Sequence, residues 1–237
     1  MIDLQKYDII DLSHELYHGM PGWPTHTNFS IEDLKINNRD GYAVKQLSMN
    51  THHGTHIDTQ AHVKYGGRTL SDYPLTSFIG DGVVLDFSHK GNDEEITDID
   101  FKAFDNEIRE NDIVMLHTGW DSYRGFDTKY LYHWPFVGVS GAKYLSGKRI
   151  KMVGTEGLSI AGWGGTTAVQ GPVTDSGLEV HQILLNNNIV IVEEMTNLGK
   201  VLGGKKSSRA FFIVLPLNLK NVDGSPVRAL AIVEKQR

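Results

Sequence analysis

Asn50-Thr51-His52-His53-Gly54-Thr55-His56-Ile57-Asp58-Thr59-Gln60-Ala61-His62 is the densest chemical feature of the chain. Eleven histidines occur in 237 residues, and four of them fall between positions 52 and 62. The spacing His-x3-His-x-Asp groups two imidazoles with one carboxylate, donors that suit zinc, manganese, iron or cobalt. His52 and His56 are read as presenting ring nitrogens to one ion. Asp58 completes three protein ligands, the number that leaves a coordination position open for water. Gly54 permits the tight backbone path by which these side chains converge. His53 breaks the spacing and is read as pointing away or as supporting the ligands from behind. The run is not the zincin pattern, because His53 stands where that motif has its basic Glu. One loop histidine is ordinarily a surface residue; four with an Asp at this spacing favour metal.

Working outward, composition narrows the options. There is no cysteine, so disulfides, thiolate metal sites and a Cys nucleophile are excluded together, and any metal must be held by His, Asp and Glu. Hydrophobic residues make up 40% and charged residues 22%, as in an ordinary globular protein. A net charge of -6 with scattered Lys and Arg argues against nucleic acid as a partner. The N-terminal stretch has no apolar signal core and no segment reaches membrane-spanning length, so no membrane association and a cytoplasmic location are expected. No repeat, low-complexity tract or linker breaks the chain, which is read as one domain over 1–237. Neither Gly-x-Gly-x-x-Gly nor Gly-Lys-Ser/Thr occurs where a nucleotide site needs it.

Short β-rich runs bounded by turn residues predict strands at Tyr7 to Leu12, Ala43 to Met49, Val83 to Phe87, Ile113 to His117 and Lys151 to Gly154. Ile189 to Glu193, Phe211 to Leu217 and Val227 to Val233 complete the set. The strand at Ala43 to Met49 is expected to be the rigid base from which the ligand run departs. Helices are predicted at Ile99 to Ile108 behind an Asp98 cap, at Gly141 to Leu145 behind Ser140, and at Gly177 to Asn186. Helices falling between more numerous strands imply an α/β fold with a mixed sheet.

A second cluster follows His181 and ends at Glu193-Glu194. Along the strand, Ile189, Ile191 and Glu193 share one face, while Val190, Val192 and Glu194 share the other. Taken alone this is weak: a strand-end acid is more often a solvated terminus, and His181 by itself reads as a packing residue.

Across nearly its whole length the chain resembles the cyclase family of metal-dependent hydrolases, which includes bacterial kynurenine formamidases and isatin hydrolases. The resemblance rests on Ile10-Asp11-Leu12-Ser13-His14, Gly19-Met20-Pro21-Gly22-Trp23-Pro24, the His52 to His62 run, and Phe78-Ile79-Gly80 with Val83-Val84-Leu85-Asp86. It continues through His117-Thr118-Gly119-Trp120, His181, and Val192-Glu193-Glu194-Met195-Thr196-Asn197-Leu198. His-x-Gly-Thr-His-x-Asp is its specific part. The resemblance implies two divalent ions, zinc or manganese: one on His52, His56 and Asp58, with Asp58 bridging, and one on His181 and Glu193, with Glu193 also shared. It implies His62 as the catalytic histidine and Trp23 as a substrate contact. It implies a three-layer β/β/α swivelling-type fold assembled as a homodimer or homotetramer.

The implied activity is hydrolysis of an amide or lactam C–N bond in a small molecule, an aryl formamide such as N-formylkynurenine being the first choice. An isatin-type lactam or cyclic imide is the alternative substrate. A lyase or cyclase using the same ions, or a metal-stabilised binding protein, are the alternative classes. A bound ion would bring the pKa of its water from about 15.7 to about 7, and His62 would act as base and then acid. Thr55 is read as a hydrogen-bonding loop residue and not a nucleophile. Two departures bear on the substrate: Gln60 stands where the family usually has Pro, and the Gly-rich stretch from Gly157 to Asp175, following Gly154-Thr155-Glu156, does not follow the formamidase pattern. That stretch is the expected pocket wall or lid.

Overall fold

The computed structural model describes residues 3–164 and 175–235. In chain order the strands are β1 (Tyr7–Asp11), β2 (Ser30–Lys35), β3 (Val44–Ser48), β4 (His56–Asp58), β5 (Ile79–Asp86) and β6 (Glu95–Ile96). They continue as β7 (Ile113–His117), β8 (Phe136–Val137), β9 (Met152–Thr155), β10 (Val190–Glu193), β11 (Ser207–Pro216) and β12 (Gly224–Glu234). The α-helices are α1 (Asn37–Asp40), α2 (Asp98–Lys102), α3 (Thr128–Tyr132), α4 (Val139–Gly147), α5 (Asp175–Asn186) and α6 (Leu198–Leu202).

Eight strands form one mixed sheet in the order β1-β12-β11-β5-β7-β9-β10-β4, and β4 also pairs with β12. That last pairing closes the sheet into a barrel-like ring. β5, β7, β9 and β10 run parallel to one another in its middle, and residues 83–85, 113–116, 152–154 and 190–192 are buried on both faces, which explains the apolar runs there. One core fills the ring, with Ile57, Val84, Met115, Val190, Val192 and Phe212 among its members. The other lies between the outer face and the helices, where Val83, Val114, Val153, Ile189 and Ile191 meet Leu145 of α4 and Leu184 of α5. The alternation expected along Ile189 to Glu193 is therefore real: Val190 and Val192 enter one core, Ile189 and Ile191 the other.

Register then builds the site. β4 lies antiparallel to β10, pairing His56 with Glu193 and Asp58 with Ile191, and antiparallel to β12, pairing Asp58 with Gly224. Ile57 points into the barrel core, so His56 and Asp58 point the other way, onto the face that carries Glu193 and is covered by α5.

Several expectations are corrected. The strand at Ala43 to Met49 exists as β3, but it pairs only with β2 and all five of its residues are exposed. Its alternation therefore marks a surface hairpin, and the base of the ligand run is β4, flanked by two strands. The helix at Ile99 to Ile108 stops at Lys102; Thr97 is its cap, with its backbone N–H donating to Asp100 at 2.7 Å. α4 starts at Val139 behind Gly138, and Ser140 instead accepts from the Asp98 nitrogen. Of the Gly157 to Asp175 stretch, residues 165–174 lie outside the described residues.

Candidate metal centre

The predicted ligands come together. His52, His56 and Asp58 form one group whose donor atoms all lie within 4.8 Å of one another, Asp58, His181 and Glu193 form a second, and His52, His62 and Asp223 form a third. Asp58 Oδ1 faces His52 Nδ1 at 2.7 Å and His56 Nε2 at 3.4 Å, while its Oδ2 is 4.0 Å from His181 Nε2. Glu193 approaches His56 Nε2 with Oε2 at 3.5 Å and His181 Nε2 with Oε1 at 3.3 Å.

Two observations test whether a metal fits. First, both Asp58 oxygens and His56 Nε2 are sealed from solvent without hydrogen-bond geometry to any partner among the described residues, an expensive state for polar atoms unless another group completes them. Second, the far nitrogen of every histidine ligand is engaged. His56 Nδ1 donates to the Gly54 carbonyl at 2.7 Å, and His181 Nδ1 donates to the Gly177 carbonyl at 3.0 Å. His52 Nε2 faces Asp223 Oδ2 at 2.8 Å. A carbonyl or carboxylate only accepts, so each far nitrogen carries a proton, and a cation that displaces the second proton meets the near nitrogen's lone pair. That is how metal-bound imidazoles are held. The residues fit a divalent cation. Gly54 earns its place by a φ of +63°, and a Cβ there would stand 2.3 Å from Leu16 Cδ2.

Electrostatics agree. Burial pushes the His52 imidazolium down, but the charge of Asp58 and the contact with Asp223 outweigh it and hold its pKa up to about 9. Burial and the neighbouring Asp58 charge raise Glu193, yet the His181 and His56 contacts bring it to about 2. Two buried carboxylates are thus kept ionised by whatever positive charge lies between them, protons or a metal.

The remaining calls are placed as follows. His53 points away: its Nδ1 accepts from the Asn50 nitrogen at 2.9 Å and its Nε2 donates to the Thr27 carbonyl at 2.8 Å. Thr55 accepts from the His14 nitrogen at 3.0 Å and donates to the Glu194 carbonyl, a loop tie. Gln60 uses its side-chain amide where a proline would offer no hydrogen-bonding group, accepting from the Arg68 nitrogen at 3.0 Å. Trp23 and His62 line a cavity of about 210 Å³ that opens onto His52, His56, His181 and Glu193. Trp23 meets Trp163 edge-on with ring centres 4.7 Å apart. From the Gly-rich stretch, Leu158, Ser159, Ala161 and Gly162 line this cavity.

Four residues to which the sequence assigns no role also bear on the site. Ser159 Oγ and the Ile160 nitrogen donate to Glu193 Oε1 at 3.1 and 2.7 Å and orient it. Glu194 leaves the strand with a φ of +53°, which buries its carboxylate 3.4 Å from the Tyr130 hydroxyl. Asp223 joins His52 to His62, and only its place before a Gly at a turn hints at a constrained role.

Comparison with known proteins follows the same line. The cyclase family model matches residues 10–161. A kynurenine formamidase from Bacillus anthracis is 31% identical over 222 residues, covering 93% of this chain and 95% of that protein. The solved structure of isatin hydrolase A from Labrenzia aggregata, bound to benzyl benzoate, is similar with a TM-score of 0.82 at 26% identity, over 98% of this chain and 95% of that one. A structure described as a potential metal-dependent hydrolase with cyclase activity gives a TM-score of 0.74 at 26% identity, over 97% of this chain and all of the other.

Proposed function

This chain belongs to the cyclase family, and from that premise we propose that it is a metal-dependent amidohydrolase that cleaves the C–N bond of an aryl formamide of the N-formylkynurenine kind. One observation carries the reading. The buried Asp58 carboxylate meets no partner with hydrogen-bond geometry among the described residues, and it stands between His52 and His56 on one side and His181 on the other.

In this reading His52, His56 and Asp58 hold one divalent ion, zinc or manganese, and His181 and Glu193, sharing Asp58, hold a second. Such ions, when bound, acidify a water and polarise the substrate carbonyl. The other roles belong to the protein. His62, at the cavity rim, takes a proton from the attacking water and returns it to the leaving nitrogen, so formate and a free aryl amine depart. Trp23, braced by Trp163, packs against the aryl ring. Val63, Leu158 and Leu178 supply apolar wall that keeps bulk water from the reacting carbonyl. The reading includes one domain over 1–237, a three-layer swivelling-type arrangement, and a cytoplasmic homodimer or homotetramer. No helix among the described residues is long and apolar enough to cross a membrane.

An isatin-type lactam is the second substrate, favoured by the small cavity walled by Trp23 and by likeness to an isatin hydrolase. The test is elemental analysis of the purified protein, then turnover of N-formylkynurenine, isatin and cyclic imides. His56→Ala and Asp58→Ala should lose metal and turnover together; turnover in a metal-free variant refutes the reading. His62→Ala should keep the metal and lose roughly 10²–10⁴-fold in kcat. Metal loss in that variant would make His62 a ligand instead. Hydrolysis in heavy-oxygen water should place the label in the carboxylate product, whereas a lyase acting without water would incorporate none.

A further inference from the structure

Asp223 belongs to neither of the two ligand sets proposed above, yet it touches the site twice, grouping with His52 and His62. It lies in the turn before β12, where Gly224 is paired with Asp58. Thr59 donates to the Asp223 carbonyl from its backbone nitrogen at 2.9 Å and from its hydroxyl at 2.8 Å. The Leu70 nitrogen holds the preceding Val222 carbonyl at 2.9 Å. The next residue must be glycine, since a Cβ on Gly224 would stand 2.5 Å from the Ile57 carbonyl oxygen and 3.1 Å from His52 Cε1. The carboxylate is therefore delivered to one place. Its Oδ1 accepts from the Thr51 hydroxyl at 2.9 Å, while Oδ2 lies 2.8 Å from His52 Nε2 and 3.4 Å from His62 Nδ1.

An ionised carboxylate only accepts, so both imidazole nitrogens that face it must carry the proton. His52 then keeps its Nδ1 lone pair for a cation, and His62 keeps its Nε2 lone pair for proton transfer. We infer that Asp223 is a positioning residue that sets the tautomer and ring orientation of His52 and His62 together, linking metal affinity to proton transfer through one carboxylate. The inference rests on His62 being the base. The 3.4 Å contact to His62 is long, as base–orienter contacts often are before substrate tightens them.

The test compares Asp223→Asn, Asp223→Ala, His62→Ala and the double variant Asp223→Asn/His62→Ala. Zinc competition with a chelator should show affinity falling about 10–100-fold in Asp223→Asn, with the number of ions at saturation unchanged. At saturating zinc, kcat should fall by at least about tenfold with KM nearly constant, the pattern of an interaction used in the transition state. The same change in the His62→Ala background should cost kcat nothing further. Nitrogen chemical shifts of the His62 ring should report the Nδ1–H tautomer in the zinc-loaded protein and its loss in Asp223→Asn. Equal kcat losses in both backgrounds would overturn the inference, as would wild-type kcat with unchanged His62 shifts. Loss of one ion from Asp223→Ala at saturating zinc would make Asp223 a ligand and overturn it too. Full turnover in His62→Ala would remove His62 as base, and the nitrogen shifts would then decide the Asp223 contact alone.

Discussion

His14 offers a direct measure of how the ligand loop is braced. Its backbone nitrogen donates to Thr55 at 3.0 Å, and its ring Nε2 is sealed from solvent with no hydrogen-bond partner among the described residues. Burial disfavours the imidazolium and the Arg124 guanidinium adds to this, while Asp121 offsets part of it, so the pKa falls from 6.5 to about 4. A histidine whose folded pKa lies below its unfolded one contributes stability above the unfolded value and loses it as pH falls towards the folded value. The window is thus pH 6.5 down to about 4. At pH 5 the loss is about 2 kcal/mol, which for a domain of this size is a fall in Tm of roughly 4–8 °C. Wild-type protein and His14→Leu, both saturated with zinc, should be melted at half-unit steps from pH 7.5 to pH 5. Other titrating groups act on both proteins and cancel in the difference. His14→Leu should sit within about 1 kcal/mol of wild type at neutral pH, as a near-isosteric exchange of this ring. It should gain on wild type through the window. Parallel Tm curves for the two proteins would refute the account of His14 as a neutral, half-buried imidazole.

Two further outcomes follow from the packing. Gly224→Ala should destabilise by about 1–3 kcal/mol and weaken metal binding, because the new methyl meets the Ile57 carbonyl and His52 where β4 closes on β12; an unchanged Tm with unchanged zinc affinity would show that the closure tolerates it. Trp23→Leu should raise KM for aryl substrates about fivefold, from the loss of about 1 kcal/mol of ring contact, with kcat little changed. A kcat loss at constant KM would instead place Trp23 in the chemical step.

How much of this was legible in the sequence depends on how far apart the cooperating residues lie. His52, His56 and Asp58 were readable because their geometry is local: a glycine at positive φ, then a three-residue strand that puts His56 and Asp58 on one face. The strand itself was not readable. His-Ile-Asp carries no β pattern of its own, and it is extended only because β10 and β12 pair with it from both sides. β3 shows the converse, since its alternation is clear but covers nothing buried. Local pattern measures what a segment could bury, and tertiary pairing decides what it does bury.

The same logic separates Glu193 from Asp223. Glu193 ended a strand whose apolar body was plain in the sequence, so its position was clear, but only family resemblance gave it a ligand's role. The structure adds the placement: the β4–β10 register sets Glu193 opposite His56, and the Ser159 hydroxyl and Ile160 nitrogen hold its carboxylate. Asp223 had neither support. Asn-Val-Asp-Gly reads as a turn between two strands, and so it is; nothing nearby in the sequence names the two histidines it faces. Those contacts exist because the turn is pinned to Thr59 and Leu70 while the strand beyond it pairs with Asp58. A residue that orients a site, unlike one that forms it, leaves its mark in the backbone that carries it: here, a glycine that nothing larger could replace.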